Sequence, residues 1–154
     1  MEYKLELVLI PVTDVDRAKT FYLEQAGFDL LVDTPVGDTM RVVQVTPPGS
    51  ACSVGFGTGI TAAPPGSAQG LHLVVSDIVA ARDEMLRRGV QVGGVRHLES
   101  GAWVPGPDPQ HENYMSFAEF ADPDGNVWLL QEVNRAEPGP EAAVTGPTAG
   151  RGRR

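Results

Sequence analysis

The stretch V-T-D-V at residues 12–15 recurs as V-S-D-I at residues 75–78, and this recurrence decides the fold. In each copy an apolar, β-rich run comes first. The Thr-Asp or Ser-Asp pair can then cap a helix by accepting hydrogen bonds from the free N–H groups of its first turn. Gly27 and Gly89 end the two predicted helices at nearly equal distances from the caps. In each copy, up to three further strands follow the helix, separated by turn-rich segments. We therefore predict two βαβββ modules in tandem.

The repeat also predicts how the chain is divided within an α+β fold. The first module takes residues 1–60, a linker rich in Gly, Ala, Pro, Ser and Thr takes 61–69, and the second module takes 70–133. Residues 134–154 offer little to bury, so we expect a disordered tail. One helix covers only one face of a four-stranded sheet. The other face is therefore expected to meet another module or to enclose a cavity.

Composition narrows the possible partners. The chain has 154 residues, 42% of them hydrophobic, and a formal net charge of -8. This acidic balance argues against a nucleic-acid partner and would steer a cationic ligand toward the surface. Cys52 is the single cysteine and cannot form an internal disulfide. No apolar run is long enough to suggest a membrane partner, so we predict a cytoplasmic protein.

Two motifs carry a resemblance to a known family. The opening from Val12 to Tyr22 and the F-x-D-P-D-G-N element at Phe120–Asn126 resemble the vicinal oxygen chelate superfamily, as do the tandem modules. That superfamily includes glyoxalase I, bleomycin-resistance proteins, fosfomycin-resistance enzymes and extradiol dioxygenases. The resemblance spans Leu5 to Val133. It implies a cup-shaped mixed sheet of paired modules around a central pocket, often completed in a homodimer, and in many members a divalent metal at four inward positions.

The metal positions that the resemblance implies carry unsuitable residues here. The first ligand of each module would fall at Leu7 and at Gly70, and the last ligand at Leu129. The fourth would lie near Ser53 to Gly55, on a strand without carboxylate, His or Gln. Leucine and glycine side chains offer no lone pair to a metal. We therefore predict no cofactor. A divalent metal held by His72 in a shifted register remains an alternative.

Four polar or aromatic residues are the main candidates for chemistry. His72 shares a strand face with the implied pocket and could act as a base, or could simply line the pocket with a hydrogen bond. Gln131 could orient a ligand or satisfy backbone groups. Tyr114 could orient a substrate or take part in catalysis. Trp103 lies on an irregular loop predicted at Glu99–Glu112, where it could stack on a ligand as a lid or pin the loop to the surface.

These residues predict a protein that handles a small organic molecule in a central pocket without the usual metal. One alternative is a non-catalytic drug-binding resistance protein, and another is a metal-dependent lyase or dioxygenase that uses His72. If the protein is an enzyme, a glyoxalase-like lyase or isomerase is expected, with His72 and Tyr114 as the catalytic candidates. The predicted binding residues are Leu7, Leu9, Gln44, Ser53, Gly70, His72, Trp103, Leu129 and Gln131.

Overall fold

The computed structural model describes residues 1–134, so most of the predicted tail lies outside the described residues. The first module contains β1 (Leu7–Leu9), α1 (Val15–Thr20) with a π-helical continuation (Phe21–Gln25), β2 (Asp29–Val36), β3 (Met40–Thr46) and β4 (Ser53–Thr58). The second contains β5 (Leu71–Val75), α2 (Ile78–Arg87), β6 (Arg96–Glu99), β7 (Ala102–Pro105), β8 (Ser116–Ala121) and β9 (Val127–Glu132). No helix in this part of the chain is both long and apolar enough to cross a membrane.

Each module forms its own mixed sheet, which confirms the predicted α+β class. The first sheet has the order β1-β4-β3-β2 and the second has the order β5-β9-β8-β6-β7. In each sheet the first strand runs parallel to its neighbour, β1 beside β4 and β5 beside β9. The remaining neighbours are antiparallel. The edge strands β1 and β5 therefore occupy equivalent places in the two halves of the repeat.

The second sheet has one more strand than predicted, because part of the expected loop Glu99–Glu112 is ordered. Ser100 and Gly101 both have positive φ, at 51° and 80°. This is the backbone that a two-residue type I′ hairpin requires. The hairpin joins β6 to β7 and places Trp103 on a strand, paired with Leu98. The prediction of an irregular loop around Trp103 is therefore wrong.

The repeated Asp caps both helices. Asp14 accepts a hydrogen bond from the Arg17 amide at 3.0 Å, and Asp77 accepts one from the Ala80 amide at 3.0 Å. After Thr20 the first helix widens, and the Ala26 amide donates to the Phe21 carbonyl five residues back. This widened segment buries Phe21 and Tyr22.

The helix-covered faces of the two sheets share one hydrophobic core. Tyr22 lies at its centre, with ring centroids 5.6 Å from Phe28 and from Phe56, and 5.8 Å from Trp128. Phe56 belongs to the first sheet and Trp128 to the second. Because both sheets turn one face toward this core, the other face of each sheet points away from it. We call these the open faces.

The D-P-D-G-N turn ties the second module to the first through a buried network. Asp122 Oδ2 accepts from the Tyr22 hydroxyl and from Asn126 Nδ2, each at 2.7 Å. Trp128 Nε1 donates to the Tyr22 oxygen at 2.9 Å. Burial, reinforced by the Asp122 carboxylate, raises the pKa of Tyr22 well above its usual range. Tyr22 therefore stays a neutral donor at any physiological pH.

The same turn also contacts the linker, the segment between β1 and α1, and the first turn of α1. Asn126 Nδ2 donates to the Pro11 carbonyl at 2.8 Å, and its Oδ1 accepts from the Ala68 amide at 3.0 Å. Asp124 Oδ1 accepts from the Thr13 hydroxyl at 2.7 Å and from Arg17 at 3.2 Å. We call this set of contacts, from the turn to Tyr22, Pro11, Thr13 and Arg17, the inter-module clasp.

Candidate functional site

A row of side chains crosses the open face of the second sheet. The strand register places Val74 on β5 opposite Gln131 on β9, Gln131 opposite Phe117 on β8, and Phe117 opposite Arg96 on β6. Directly opposed residues point to the same side of a sheet. The row therefore presents an amide, an aromatic ring and a guanidinium side by side. We call these three residues, Gln131, Phe117 and Arg96, together with His72 and Trp103 on the two edge strands, the Phe117 platform.

Two aromatic side chains contact Phe117 edge-on. The Trp103 ring centroid lies 5.3 Å from that of Phe117, and the two planes are 84° apart. The His72 ring centroid lies 6.4 Å away on the other side, also at 84°. Trp103 is 50% exposed, whereas Phe117 is 9% exposed. The platform is thus an aromatic surface with a fixed centre and accessible flanks.

The polar end of the platform is an ordered hydrogen-bond chain. Gln131 Nε2 donates to the Tyr114 carbonyl at 3.2 Å, so the Oε1 atom of the same amide faces His72. His72 Nδ1 lies 2.9 Å from that oxygen and must donate to it. In the neutral ring this leaves Nε2 as the unprotonated nitrogen. His72 is therefore held as an acceptor on the open face, able to receive a hydrogen bond or a proton.

Tyr114 enters this chain through its backbone. Its carbonyl orients Gln131, and its amide donates to the Glu132 carbonyl at 2.8 Å. The residue has φ of 73°, a left-handed conformation uncommon outside glycine. The side chain is about half exposed, at 49%. The structure thus brings the Tyr114 backbone into contact with Gln131, which in turn contacts His72.

Arg96 is the charged end of the platform. Its Cζ atom lies 4.3 Å from the centroid of the Trp103 ring, in cation–π geometry. Its Nε is shielded from solvent and has no hydrogen-bond partner. Within residues 1–134, no ion pair involves Arg96. A permanent positive charge therefore stands on the open face without a counter-ion among residues 1–134.

The open face of the first sheet is apolar by contrast. Leu7 lies opposite Ser53 and Leu9 opposite Gly55, with Gln44 on the other side of Gly55. A methyl group on Gly55 would meet Leu9 at 3.1 Å and Leu7 at 3.3 Å, so these leucines lie across the glycine. Ser53 is buried and its hydroxyl shares a hydrogen bond with Thr46 at 2.7 Å.

The predicted binding residues thus fall into two groups. One group, on the first sheet, is Leu7, Leu9, Gln44 and Ser53; the other, on the second sheet, is His72, Trp103, Leu129 and Gln131. Gly70 stands just before β5 with φ of 75° and is exposed. No hydrogen bond or ring contact among residues 1–134 joins the two groups. Because both open faces point away from the shared core, one chain does not bring them together.

The positions that the resemblance implies for a metal do not fit one. Leu7, Gly55, Gly70 and Leu129 carry no donor atom on their side chains. His72 has Gln131 as its polar neighbour, and its opposed residue is Leu129. Within the described chain, no three His, Cys, Asp or Glu side chains cluster as a metal site would need. The arrangement supplies at most one nitrogen donor on this face.

A cleft of about 510 Å³ runs along the other side of β5. Its walls are mostly apolar: Phe28, Leu73, Val75, Ala81, Met85 and Leu130, with the Pro47–Ser50 turn opposite. The one charged side chain among its lining residues is Glu84, which is paired with Arg87 and Arg88. His72 and Val74 form the rim that this cleft shares with the platform. The cleft offers volume, whereas the platform offers the groups that orient a ligand.

Two other histidines have structural partners. His97 is buried, and its Nδ1 lies 2.7 Å from the Gly106 carbonyl while its Nε2 lies 3.2 Å from Glu99. These two acceptors, first the carbonyl and then the carboxylate, raise the pKa of His97. His111 Nδ1 lies 3.0 Å from the buried Glu132, which also accepts from the Ile78 amide at the start of α2. Neither histidine belongs to the platform.

Phe117 and Arg96 are the platform residues that the sequence analysis missed. Phe117 alternates with Ser116 and Ala118 in an apolar strand, a pattern typical of a buried core. Arg96 stands in a segment whose strand begins later than expected. The S-G pair at 100–101 was the signal that could have located the hairpin and hence the neighbours of Arg96.

Comparison with known proteins connects this chain to a family. The model of the Glyoxalase/Bleomycin resistance protein/Dioxygenase superfamily matches residues 4–130. The protein YetH of Bacillus subtilis (strain 168) is 30% identical over 127 residues, which cover 81% of this chain and 94% of YetH. These matches span both modules.

Two solved structures from Streptomyces sp. CB03234 are similar over the same region. TnmS3, an antibiotic binding protein, is 35% identical with a TM-score of 0.67, over 85% of this chain and 96% of TnmS3. A glyoxalase/bleomycin resistance protein is 37% identical with a TM-score of 0.64, over 83% of this chain and 99% of that protein.

Proposed function

Since the chain belongs to the Glyoxalase/Bleomycin resistance protein/Dioxygenase superfamily, we propose that it binds a small planar aromatic molecule on the Phe117 platform, without a divalent metal. The observation that carries this proposal is the edge-on packing of His72 and Trp103 against Phe117 on an open sheet face. Aromatic rings favour such offset and edge-to-face contacts with further rings. The similarity to TnmS3, which binds an antibiotic, supports binding over turnover.

A second copy of the chain is expected to complete the pocket. Leu9, Leu31, Val74 and Trp103 are exposed by 43%, 57%, 53% and 50%, and they lie on the two sheets. Covering these apolar side chains favours association. In the proposed homodimer, the leucine-lined face of one copy closes over the Phe117 platform of the other. The ligand then lies between two sheets, as in a cup.

Calorimetric titration with 2-naphthol tests the proposed aromatic site. We expect 2-naphthol to bind about tenfold more tightly than its saturated analogue, because the saturated rings lose the aromatic contacts. Phe117→Leu should remove this difference while it keeps an apolar side chain of similar size. Met85→Leu, in the cleft beside β5, is the matched control and should preserve the preference. A preference that survives Phe117→Leu would refute the site.

Mixing two defective variants tests the shared pocket. Leu7→Glu/Leu9→Glu disables the first open face, and Phe117→Ala disables the second. If each pocket takes one face from each copy, a mixed dimer contains one intact pocket and one doubly altered pocket. Binding should reappear after the variants are unfolded together and refolded. Recovery that never exceeds the sum of the two separate variants would contradict the composite pocket.

Metal analysis tests the proposed independence from metal. Protein purified without chelator is expected to contain no stoichiometric Ni, Zn, Fe or Mn by plasma mass spectrometry, because Leu7, Gly70 and Leu129 provide no ligands. Treatment with EDTA followed by dialysis should leave the affinity for 2-naphthol unchanged. A stoichiometric metal whose loss parallels the His72→Asn substitution would overturn this part of the proposal.

A second candidate function is acid–base catalysis by His72. Its Nδ1 is fixed by Gln131, which leaves Nε2 as an available acceptor in the neutral ring. A bound compound with an acidic C–H or O–H bond could lose a proton to that nitrogen. Mass spectrometry of the compound after incubation distinguishes the functions. Conversion by the wild type that is abolished in His72→Asn, with binding retained, would establish catalysis; unchanged compound supports sequestration.

A further inference from the structure

Arg96 suggests which aromatic molecules the platform selects. We infer that the Phe117 platform is specific for planar aromatic acids, whose anionic group pairs with the Arg96 guanidinium while the ring system lies along Phe117 and Trp103. This inference rests on the proposed function and adds the chemical class of the ligand. It differs from the expectation that an acidic chain attracts a cationic ligand.

The first reason is that Arg96 has no ion-pair or hydrogen-bond acceptor in the described part of the chain. Each of the other Lys and Arg residues within 1–134 has a partner: Lys4, Arg17, Lys19, Arg41, Arg87 and Arg88 pair with carboxylates, and Arg82 donates to backbone carbonyls. Arg96 has neither, in a chain whose Asp and Glu residues outnumber its Lys and Arg residues by 20 to 12. A partly buried guanidinium without an acceptor is suited to a ligand that supplies one.

The second reason is the position of the charge. Arg96 lies directly beside Phe117 in the register, and Trp103 lies over the guanidinium while it also contacts Phe117. The Arg96 guanidinium lies against the Trp103 ring, and its Nε is shielded from solvent. A carboxylate attached to a ring on this surface can therefore reach the guanidinium without turning the ring away. The charge and the aromatic surface form one site.

The third reason is that the far end of the platform has the opposite hydrogen-bond character. His72 is on β5 and Arg96 is on β6, with β9 and β8 between them, so three spacings of about 4.8 Å separate the two strands. His72 Nε2 accepts, whereas Arg96 donates. A ligand of two or three fused rings spans this distance, with an acid group at Arg96 and a hydroxyl or N–H donor at His72. The platform thus specifies one direction for the ligand.

The negative charge on the same face is placed away from Arg96. Glu119 follows Phe117 by two residues on β8 and lies opposite Leu129, in the row that contains His72. No ion pair joins Glu119 to Arg96. An acid group near Glu119 would be repelled, and one near Arg96 would be attracted. The two charges therefore reinforce the same ligand direction.

Three matched ligands test the inference: 6-hydroxy-2-naphthoate, its neutral carboxamide, and the corresponding aminomethyl cation. By calorimetry, we expect the acid to bind about tenfold more tightly than the amide, and the cation to bind most weakly. In Arg96→Met, which keeps the length of the side chain, the ratio of acid to amide affinity should fall to about one. Arg96→Lys should retain part of it. Arg87→Gln removes an exposed cation from α2 and should leave the ratio unchanged.

The ratio is measured within each variant, so a general loss of folding cancels. Equal binding of acid and amide by the wild type, or a ratio that survives Arg96→Met, would overturn the inference. In either case Phe117-dependent binding of the amide would still uphold the proposed aromatic site. Failure of all three compounds to bind would refute both. In His72→Asn, the advantage of the 6-hydroxy acid over plain 2-naphthoate should disappear, which tests the ligand direction.

Discussion

Tyr22 shows how one hydroxyl can hold two modules together. It donates to Asp122 and accepts from Trp128 in a buried network. Tyr22→Phe leaves the indole N–H without its acceptor and takes one donor from the carboxylate. We expect the free energy of unfolding to fall by about 2 kcal/mol, the typical cost of such unsatisfied groups. Urea denaturation measures it. Tyr3→Phe, at an 88% exposed tyrosine, should have no effect and serves as the control.

His97 makes stability depend on pH. Its pKa is raised in the folded state because both ring nitrogens meet acceptors, Gly106 and Glu99. The native state therefore holds the proton more tightly than the unfolded chain. This stabilisation is complete below the unfolded histidine pKa of about 6.5 and is lost as pH rises through the higher folded value.

Thermal unfolding from pH 5.5 to 8.5 tests this assignment. We expect the difference in stability between the wild type and His97→Gln to be largest at the acidic end and to shrink above neutral pH. Gln cannot titrate, but it can still donate to the Gly106 carbonyl. A difference that stays constant across the range, or grows with pH, would show that His97 is not protonated preferentially in the folded protein.

At the scale of elements, the linker contains a glycine that the fold requires. Gly66 has φ of 80°, and a Cβ atom there would lie 2.1 Å from the Asp124 carbonyl oxygen. Gly66→Ala should therefore cost about 3 kcal/mol of stability, from the clash together with the left-handed backbone. Gly49→Ala measures the cost of the left-handed backbone alone. Gly49 has φ of 84° with nothing within 4 Å, so we expect a cost of only about 1 kcal/mol. Equal costs by denaturant titration would contradict the steric argument.

The elements that the sequence predicted well are those with local signals. Asp14 and Asp77 cap helices because their side chains reach N–H groups three residues away. The strand of Trp103 escaped prediction because its pairing with β6 depends on two positive φ angles at Ser100 and Gly101, which proline and glycine in the surrounding segment obscure. Periodicity marks Phe117 as buried. It does not show which sheet face carries the neighbours His72 and Trp103.

At the scale of the molecule, the repeat predicted two modules, whereas their mutual arrangement depends on long-range contacts. Tyr22 and Trp128 are separated by more than a hundred residues, yet share a hydrogen bond. The expected grouping of Leu7 and Leu9 with His72 and Gln131 is not reached within one chain, because the helix-covered faces of both sheets take the core. Sequence patterns show which residues share a face of each strand. They do not show which face of one sheet packs against the other sheet.

The shared core predicts that neither module folds alone. A fragment of residues 1–63 would expose Tyr22 and Phe56, and a fragment of residues 64–154 would expose Trp128, all of which are buried in the whole protein. We expect neither fragment to show a cooperative thermal transition by circular dichroism. The intact chain should unfold in one step, with tryptophan fluorescence and far-ultraviolet signals coincident. Two separated transitions in the intact chain would refute a common core.

Because of the inter-module clasp, we expect the two modules to recognise each other without a covalent link between them. Asp122, Asp124 and Asn126 grip main-chain and side-chain atoms of the first module directly, at Tyr22, Pro11, Thr13 and Arg17. The two fragments, unfolded apart, should therefore find each other when mixed and rebuild one particle. Association of the two fragments can be followed by the return of buried-tryptophan fluorescence. In Asp122→Ala, we expect this signal to be lost. The D-P-D-G-N turn of the second module thus provides the contacts by which the first module recognises it.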